Sequence, residues 1–284
     1  MDRSHGGIEE WARWQHGAEG LSPRTVQERC NRVREFAELL GVDPRHATTE
    51  DVLDYLTAVR ARARWGQPIK ASSIATYYGQ LRAWFAWLVM NGYRDDDPTG
   101  KIKGPKARRT KPKPLSPAEK IAVYSVRMHA RTRAMMLLAN YEGLRAHEIA
   151  KFHGRQVNRV AGTIQVRGKG DVECDLPLHP VIAELAERMP VDAYWFPSTR
   201  ASGHDHVTGN SVSIIIGDVF RRAGVPGSVH RLRHTFATEL LARGANLRVV
   251  QELLRHARLS TTEVYTLVSL EQMTDAIAML SRAA

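Results

Sequence analysis

Residues 101–114, Lys-Ile-Lys-Gly-Pro-Lys-Ala-Arg-Arg-Thr-Lys-Pro-Lys-Pro, cannot form one continuous helix or one central strand. Pro105, Pro112 and Pro114 each lack a backbone N–H, and Gly104 favours neither element. Lys101, Lys103, Lys106, Arg108, Arg109, Lys111 and Lys113 crowd the same stretch with no acid among them. Such a segment repels itself and extends, so it reads as a linker. It divides the 284-residue chain into residues 1–100, a linker at 101–114, and residues 115–284. Each flank is long enough to bury its own core.

Seven of the formal net +11 charges fall within residues 101–113. A clustered excess of this kind points to an anionic partner, and nucleic acid is the commonest. Other classes are excluded by composition. The longest apolar run, Ala83 to Met90, falls far short of the roughly 20 residues that span a bilayer. The N-terminus has no basic-then-apolar leader. Cys30 and Cys174 cannot make a disulfide framework and suit a reducing compartment, so a bacterial host cytoplasm with the protein on the nucleoid is expected.

The first flank is patterned for helices. Ser22-Pro23 pairs an N-cap with a proline at the first helical position, and Gly41 closes the turn. Between them Val26, Cys30, Val33, Phe36, Ala37 and Leu40 recur at three- and four-residue spacing. Thr48 and Asp51 form a capping-box pattern for a helix to about Arg64. A further helix runs from about Ser72 to Met90, with Trp84 and Trp87 expected in the core, and a short one covers Ile8–His16. A bundle of about four helices is expected.

The second flank mixes periods. Ser116-Pro117-Ala118-Glu119 opens a helix, and helical spacing continues to Leu138. Gly143-Leu144-Arg145 interrupts it before a short helix near His147–Phe152. Residues 163–167 and 172–176 alternate as strands around Gly168-Lys169-Gly170, a hairpin with a lysine at its turn. Helices are expected again near 181–188, 211–223, 231–243, 247–255 and 270–280. The fold class is therefore mainly α: a helical bundle followed by a mixed α+β domain with a small antiparallel sheet.

This flank carries Arg145, Lys169, His230, Arg233, His256 and Tyr265, in that order. Arg145 stands at a helix start, where the dipole disfavours a cation, which hints at function. Singly these residues prove little. Metal-free phosphodiester chemistry, however, needs cationic forks for nonbridging oxygens, a nucleophile and an acid for the leaving oxygen.

Three segments together are specific. Tyr141-Glu142-Gly143-Leu144-Arg145-Ala146-His147-Glu148-Ile149 resembles the first arginine box of the tyrosine recombinases, the phage integrase family. Val229-His230-Arg231-Leu232-Arg233-His234-Thr235-Phe236-Ala237-Thr238 resembles that family's His-x-x-Arg box. Leu253-Leu254-Arg255-His256-Ala257-Arg258-Leu259-Ser260-Thr261-Thr262-Glu263-Val264-Tyr265 resembles its final box, which ends in the nucleophilic tyrosine. The lysine hairpin falls between the first two. The likeness covers about residues 115–284, and the first flank is similar, generically, to the family's SAM-like core-binding domain.

The resemblance implies a site-specific recombinase that cleaves and rejoins duplex DNA through a 3′-phosphotyrosyl intermediate and a Holliday junction, in phage or mobile-element integration and excision. Tyr265 is then the nucleophile, Arg145 and Arg233 the phosphate clamp, His230 the acid/base, Lys169 the acid for the 5′-oxygen and His256 a phosphate contact. Glu148 matches an acidic position that supports the site. No metal and no nucleotide cofactor are implied. The implied partners are double-stranded DNA core or attachment sites and further copies of the chain in a homotetramer on synapsed DNA, with room for an accessory directionality factor; no membrane partner is expected.

The chain starts almost directly with core-binding helices, so a short form without an arm-binding domain is expected. The helix at 270–280 offers Leu270, Met273, Ile277 and Leu280 on one stripe, and the resemblance implies that it packs on a neighbouring protomer. One departure stands out: Arg255 replaces the family's usual glycine before the second histidine. It is expected either to sit in a tolerated helical conformation or to add a phosphate contact. His204-Asp205-His206 lies in a Gly/Ser-rich loop with no third ligand at a metal-site spacing and reads as solvated. Other classes left open are a type IB topoisomerase-like relaxase, a DNA-binding protein without cleavage and, weakest, a metal-dependent nuclease.

Overall fold

The computed structural model describes residues 7–41, 43–64, 67–104, 113–167, 173–198, 205–255 and 270–280. The chain separates into two compact units, residues 1–110 and 111–284.

The first unit is built on α1 (Ile8–Gly17), α2 (Pro23–Leu40), α3 (Thr49–Ala61) and α4 (Ala71–Met90). Local chemistry sets the ends of these helices. Ser22 Oγ accepts from the Thr25 N–H at 3.3 Å, and Gly41, at φ +66°, ends α2 with its N–H on Ala37 O. Thr48 and Asp51 cap α3 reciprocally. The apolar stripes of α2, α3 and α4 meet in one core that includes Val33, Phe36, Tyr55, Leu81, Trp84 and Phe85. Trp84 packs edge-on to Trp11 at 5.2 Å and donates its Nε1–H to Pro44 O at 3.1 Å. Both Trp84 and Trp87 are buried.

α3 is shorter than the sequence pattern suggests. Arg62 turns to extended backbone, and β1 (Ala63–Arg64) pairs antiparallel with β2 (Gln67–Pro68). Two-residue strands leave no periodic signal.

The second unit contains α5 (Pro117–Ser125), α6 (Ala130–Tyr141), α7 (Ala146–Ala150), a 3-10 turn at Gly154–Gln156, β3 (Val157–Asn158), β4 (Thr163–Arg167), β5 (Glu173–Pro177), α8 (Pro180–Ala186), α9 (Gly209–Arg222), α10 (Val229–Ala242), α11 (Leu247–Leu253) and α12 (Leu270–Ala278). The expected run from Ser116 to Leu138 is two helices. Val126 is extended, and the His129 side chain caps a fresh start at α6. The sheet order is β3-β4-β5, all antiparallel, with Val166 opposite Cys174 and Arg167 opposite Glu173. The fold is thus mainly α with one small antiparallel sheet in the second unit. α6 and α10 run through the centre of its core, where Met135, Leu138, Leu232 and Phe236 are fully buried.

In the single chain α12 lies against its own unit, where the resemblance implies a neighbouring protomer. Its apolar stripe is covered by its own unit: Ala276, Ile277 and Leu280 are buried, and α12 packs on α11 and β5. His179 Nε2 lies 3.3 Å from Leu280 O at the end of this helix. Of the stripe, Ile277 and Leu280 are buried in cis and Met273 packs against the same core, which removes their apolar surface from water. Among the described residues, no helix is long and apolar enough to cross a membrane.

Candidate active site

The site is built around the junction between α6 and α7. Gly143 follows α6 in the left-handed conformation, φ +58°. A β-carbon there would sit 2.8 Å from Phe236 Cδ1 and 3.3 Å from Leu254 Cδ2. Glycine is therefore required for both conformation and space. This tight passage lets the Gly143 carbonyl accept from the Arg233 guanidinium on α10.

Arg145 is the N-cap of α7, with extended backbone at φ −78° and ψ 156°. The α-helical rise puts Glu148, three residues on, back over the cap. The Arg145 N–H donates to Glu148 Oε2 at 2.7 Å, and the Arg145 guanidinium donates to Oε1 at 2.9 Å. The carboxylate offsets the helix-dipole cost of a cation at this end. The other side of the Arg145 guanidinium donates to Leu254 O at 3.2 Å and Arg255 O at 3.1 Å. Arg233, which is 6% exposed, donates to Leu254 O as well. Two arginines from α7 and α10 thus converge on one carbonyl of the turn that follows α11.

A third arginine joins them. Arg255 donates from Nη2 to Glu148 Oε2 at 2.7 Å and from Nη1 to Leu253 O at 3.0 Å. Its side chain is 6% exposed and that of Glu148 is 2% exposed. The expectation of a helical conformation for Arg255 is therefore corrected. Among the described residues it is the one non-glycine at positive φ, 51°, and its guanidinium turns inward to a carboxylate. That backbone costs an ordinary L-residue roughly 1–2 kcal/mol, and a buried charge-assisted pair offsets it.

The electrostatics follow from the crowding. Three guanidiniums face one carboxylate, leaving two positive charges in excess. Burial and then the Arg145 and Arg255 charges pull the Arg233 guanidinium down to about 9, so it remains cationic at neutral pH. Burial pushes the Glu148 carboxyl up, but Arg255 and the Arg145 hydrogen bonds outweigh it and hold the group below the usual carboxylate range.

The remaining predicted residues divide by where they fall. His230 is exposed in the first turn of α10, one turn before Arg233, with its ring 5.9 Å from that of His234. Burial, then the His230 and Arg233 charges, lowers His234 from its ordinary value. Lys169, His256 and Tyr265 lie outside the described residues, as do Lys106, Arg108, Arg109 and Lys111. The hairpin that carries Lys169 is framed by the Arg167–Glu173 pair. Lys101, Lys103 and Lys113 are exposed. His204 is outside the described residues, and His206 Nδ1 lies 2.7 Å from Val207 O. Among the described residues no three His, Cys, Asp or Glu side chains gather at metal-binding distance.

Sequence reasoning missed two partners. One is Arg255 on Glu148. The other is Arg231, which forks both Glu119 carboxylate oxygens, at 2.8 and 2.7 Å, and donates to Lys113 O and Pro114 O. Thr235 Oγ1 holds the Leu115 N–H at 2.8 Å. The linker's last residues are thus fastened beside the arginine-bearing helix. Arg231 and Thr235 lie inside the His-x-x-Arg box, but neither spacing nor composition names their acceptors.

Comparison with known proteins supplies the family. Residues 118–272 match the phage integrase family, and residues 8–92 match the phage integrase N-terminal SAM-like domain. The chain is 32% identical to tyrosine recombinase XerD of Rhizobium meliloti (strain 1021), with 93% of this chain and 90% of that protein covered. Among solved structures, an integrase from mycobacterium phage Brujita is 40% identical, with a TM-score of 0.56 over 99% of this chain and 94% of that one. A lambda integrase dimer bound to a core site shares the fold at a TM-score of 0.69 and 17% identity, covering 93% of this chain and 98% of that one. With both domain models matched in order, and Arg145 and Arg233 brought to one turn, the chain belongs to the phage integrase family and is a tyrosine-type site-specific DNA recombinase.

Proposed function

We propose that Arg145 and Arg233 clamp the nonbridging oxygens of a scissile phosphate in duplex DNA, and that Tyr265 attacks its phosphorus. The bond from Tyr265 Oη to phosphorus forms as the bond to the 5′-oxygen breaks. The phenolic proton passes to His230, and Lys169 protonates the departing 5′-oxygen. His256 donates to the phosphate. The product is a 3′-phosphotyrosyl link that keeps the energy of the phosphodiester, so a free 5′-hydroxyl reverses each step and restores Tyr265 without a nucleotide. The linker cations at 101, 103, 106, 108, 109, 111 and 113 lie along backbone phosphates. Four copies synapse two core sites and exchange strands in pairs through a Holliday junction, integrating or excising a mobile element, with room for an accessory directionality factor. The chain acts on short core sites from residues 1–100 and 115–284, joined by the linker at 101–114.

The observation that carries this reading is the convergence of Arg145 and Arg233 on Leu254 O with two positive charges in excess. Buried cations without a matching anion are costly, and a phosphate placed there supplies the charge. The test uses nicked duplexes that carry repeats from the DNA flanking the coding region. The parent protein forms a denaturant-resistant protein–DNA adduct and Tyr265→Phe forms none. An adduct that survives Tyr265→Phe overturns the assignment. Binding with no adduct on any flanking repeat favours a DNA-binding protein without cleavage, and sequence-independent relaxation of supercoils by a monomer favours a topoisomerase-like enzyme.

A further inference from the structure

We propose that Arg255 is a positioning residue, which aligns the two phosphate-clamp arginines by anchoring Glu148 and the Leu254–Arg255 turn, and which does not itself contact DNA. This rests on the recombinase reading of the same site. Three observations carry it. First, the Arg255 guanidinium is buried and faces the protein, on Glu148 Oε2 at 2.7 Å and Leu253 O at 3.0 Å. Second, Glu148 is the shared counter-charge: it takes two bonds from Arg145 and lies 4.0 Å from Arg233 Nη1. Third, the backbone that Arg255 holds at φ 51° presents two consecutive carbonyls as acceptors. Leu254 O receives both Arg145 and Arg233, and Arg255 O receives Arg145. Arg255 thus grips the carboxylate with its side chain and supplies the turn with its main chain.

A glycine at 255 would enter this turn with less strain. It would also remove the charged one of the two donors to Glu148 Oε2, leaving only the Arg145 N–H on that buried oxygen. The arginine is therefore a different solution from glycine, coupled to Glu148 rather than to backbone freedom. The groups that face Glu148 are Arg145 and His147 on α7, Arg233 on α10, Cys174 on β5 and Arg255 itself.

The test is a double-mutant cycle between Arg255→Met and Glu148→Gln, with Arg255→Lys and Arg255→Gly as companions. Adduct formation is measured in single turnover on the nicked flanking-repeat duplex, and affinity on the same duplex without a nick. Arg255→Met slows adduct formation by about 10²-fold, the scale of a misaligned clamp, with affinity kept within about 2-fold. Arg255→Lys recovers part of the rate and Arg255→Gly does not. In the Glu148→Gln background, Arg255→Met costs less than about 3-fold more. Arg255→Gly at parental rate, an additive cycle, or a loss of affinity as large as the loss of rate would each overturn the proposal.

A DNA-free arm separates this outcome from failure of the recombinase reading. The melting-temperature gap between the parent and Arg255→Met narrows as pH falls from 7 to 3, because Glu148 without Arg255 takes up its proton at a higher pH than in the parent and then no longer needs the cation, and the gap is flat in Glu148→Gln. A gap that does not narrow overturns the coupling even if the parent forms no adduct.

Discussion

Arg145 and Arg233, carried by different helices, end on the same acceptor, the carbonyl of Leu254. The turn after α11 therefore acts as a jig for both guanidiniums. Each remains a fork with donors to spare, since an arginine has five N–H groups in one plane.

Replacing either member of this pair separates chemistry from binding. Arg145→Ala and Arg233→Ala each reduce adduct formation by about 10²–10³-fold, the usual cost of one preorganised donor at a developing charge. DNA affinity stays within a few-fold of the parent, because most of it comes from other phosphate contacts. Lysine at either position restores little, because a point charge does not reproduce a planar fork. Single-turnover cleavage beside a binding isotherm checks both halves.

The linker cations behave in the opposite way. Neutralising Lys101, Lys103, Lys106, Arg108, Arg109, Lys111 and Lys113 with glutamine weakens binding. It also flattens the plot of log affinity against log salt by about 0.9 for each phosphate that is no longer neutralised. The cleavage rate at saturating protein is unchanged. A slope equal to that of the parent would show that these charges are merely solvated.

Glu142 gives a pH dependence with a defined sign. It is fully buried beside the site; Oε1 accepts from the His179 N–H at 2.8 Å, and Oε2 has no hydrogen-bond partner among the described residues. Burial pushes its carboxyl up to about 8, against the smaller lowering effects of that hydrogen bond and of Arg255. The folded state thus binds a proton that the unfolded chain releases above its ordinary value near 4.5. Stability is greatest below that value and declines as pH rises toward 8, at up to about 1.4 kcal/mol per pH unit from this group. Glu142→Gln removes that slope and melts higher than the parent at pH 8. Melting curves from pH 5 to 8 decide it.

Gly143→Ala tests the tight passage between α6 and α7. The added methyl meets Phe236 at 2.8 Å and the backbone is held at φ +58°. The cost is roughly 1–3 kcal/mol, and it displaces the carbonyl that receives Arg233. Chemical denaturation measures the first effect. A cleavage rate that falls further than the loss of folded protein measures the second.

Much of the architecture is written locally. Ser22-Pro23, Thr48 with Asp51, and Ser116 with Glu119 cap helices through atoms three residues apart, and those caps appear as their spacing dictates. The strand pair around Gly168-Lys169-Gly170 is legible from alternation over five residues on each side. The two-residue strands at 63–64, 67–68 and 157–158 are not, because period-2 alternation needs more length than they have. The break between Ser125 and Ala130 is also hidden, since apolar spacing continues across it and only the His129 cap reveals a new start.

By itself the sequence determined the two-part division, the capped starts of α2, α3 and α5, and the order of Arg145, His230 and Arg233 along the chain. These depend on residue type and on neighbours a few positions away. Tertiary structure alone decided that Arg255 turns inward to Glu148, that Arg231 and Thr235 hold residues 113–115, and that α12 packs against its own unit. Each of these joins residues far apart in sequence, and its energy lies in burying a charge with its counter-charge or an apolar stripe with its cover. No local pattern encodes which distant group will be there.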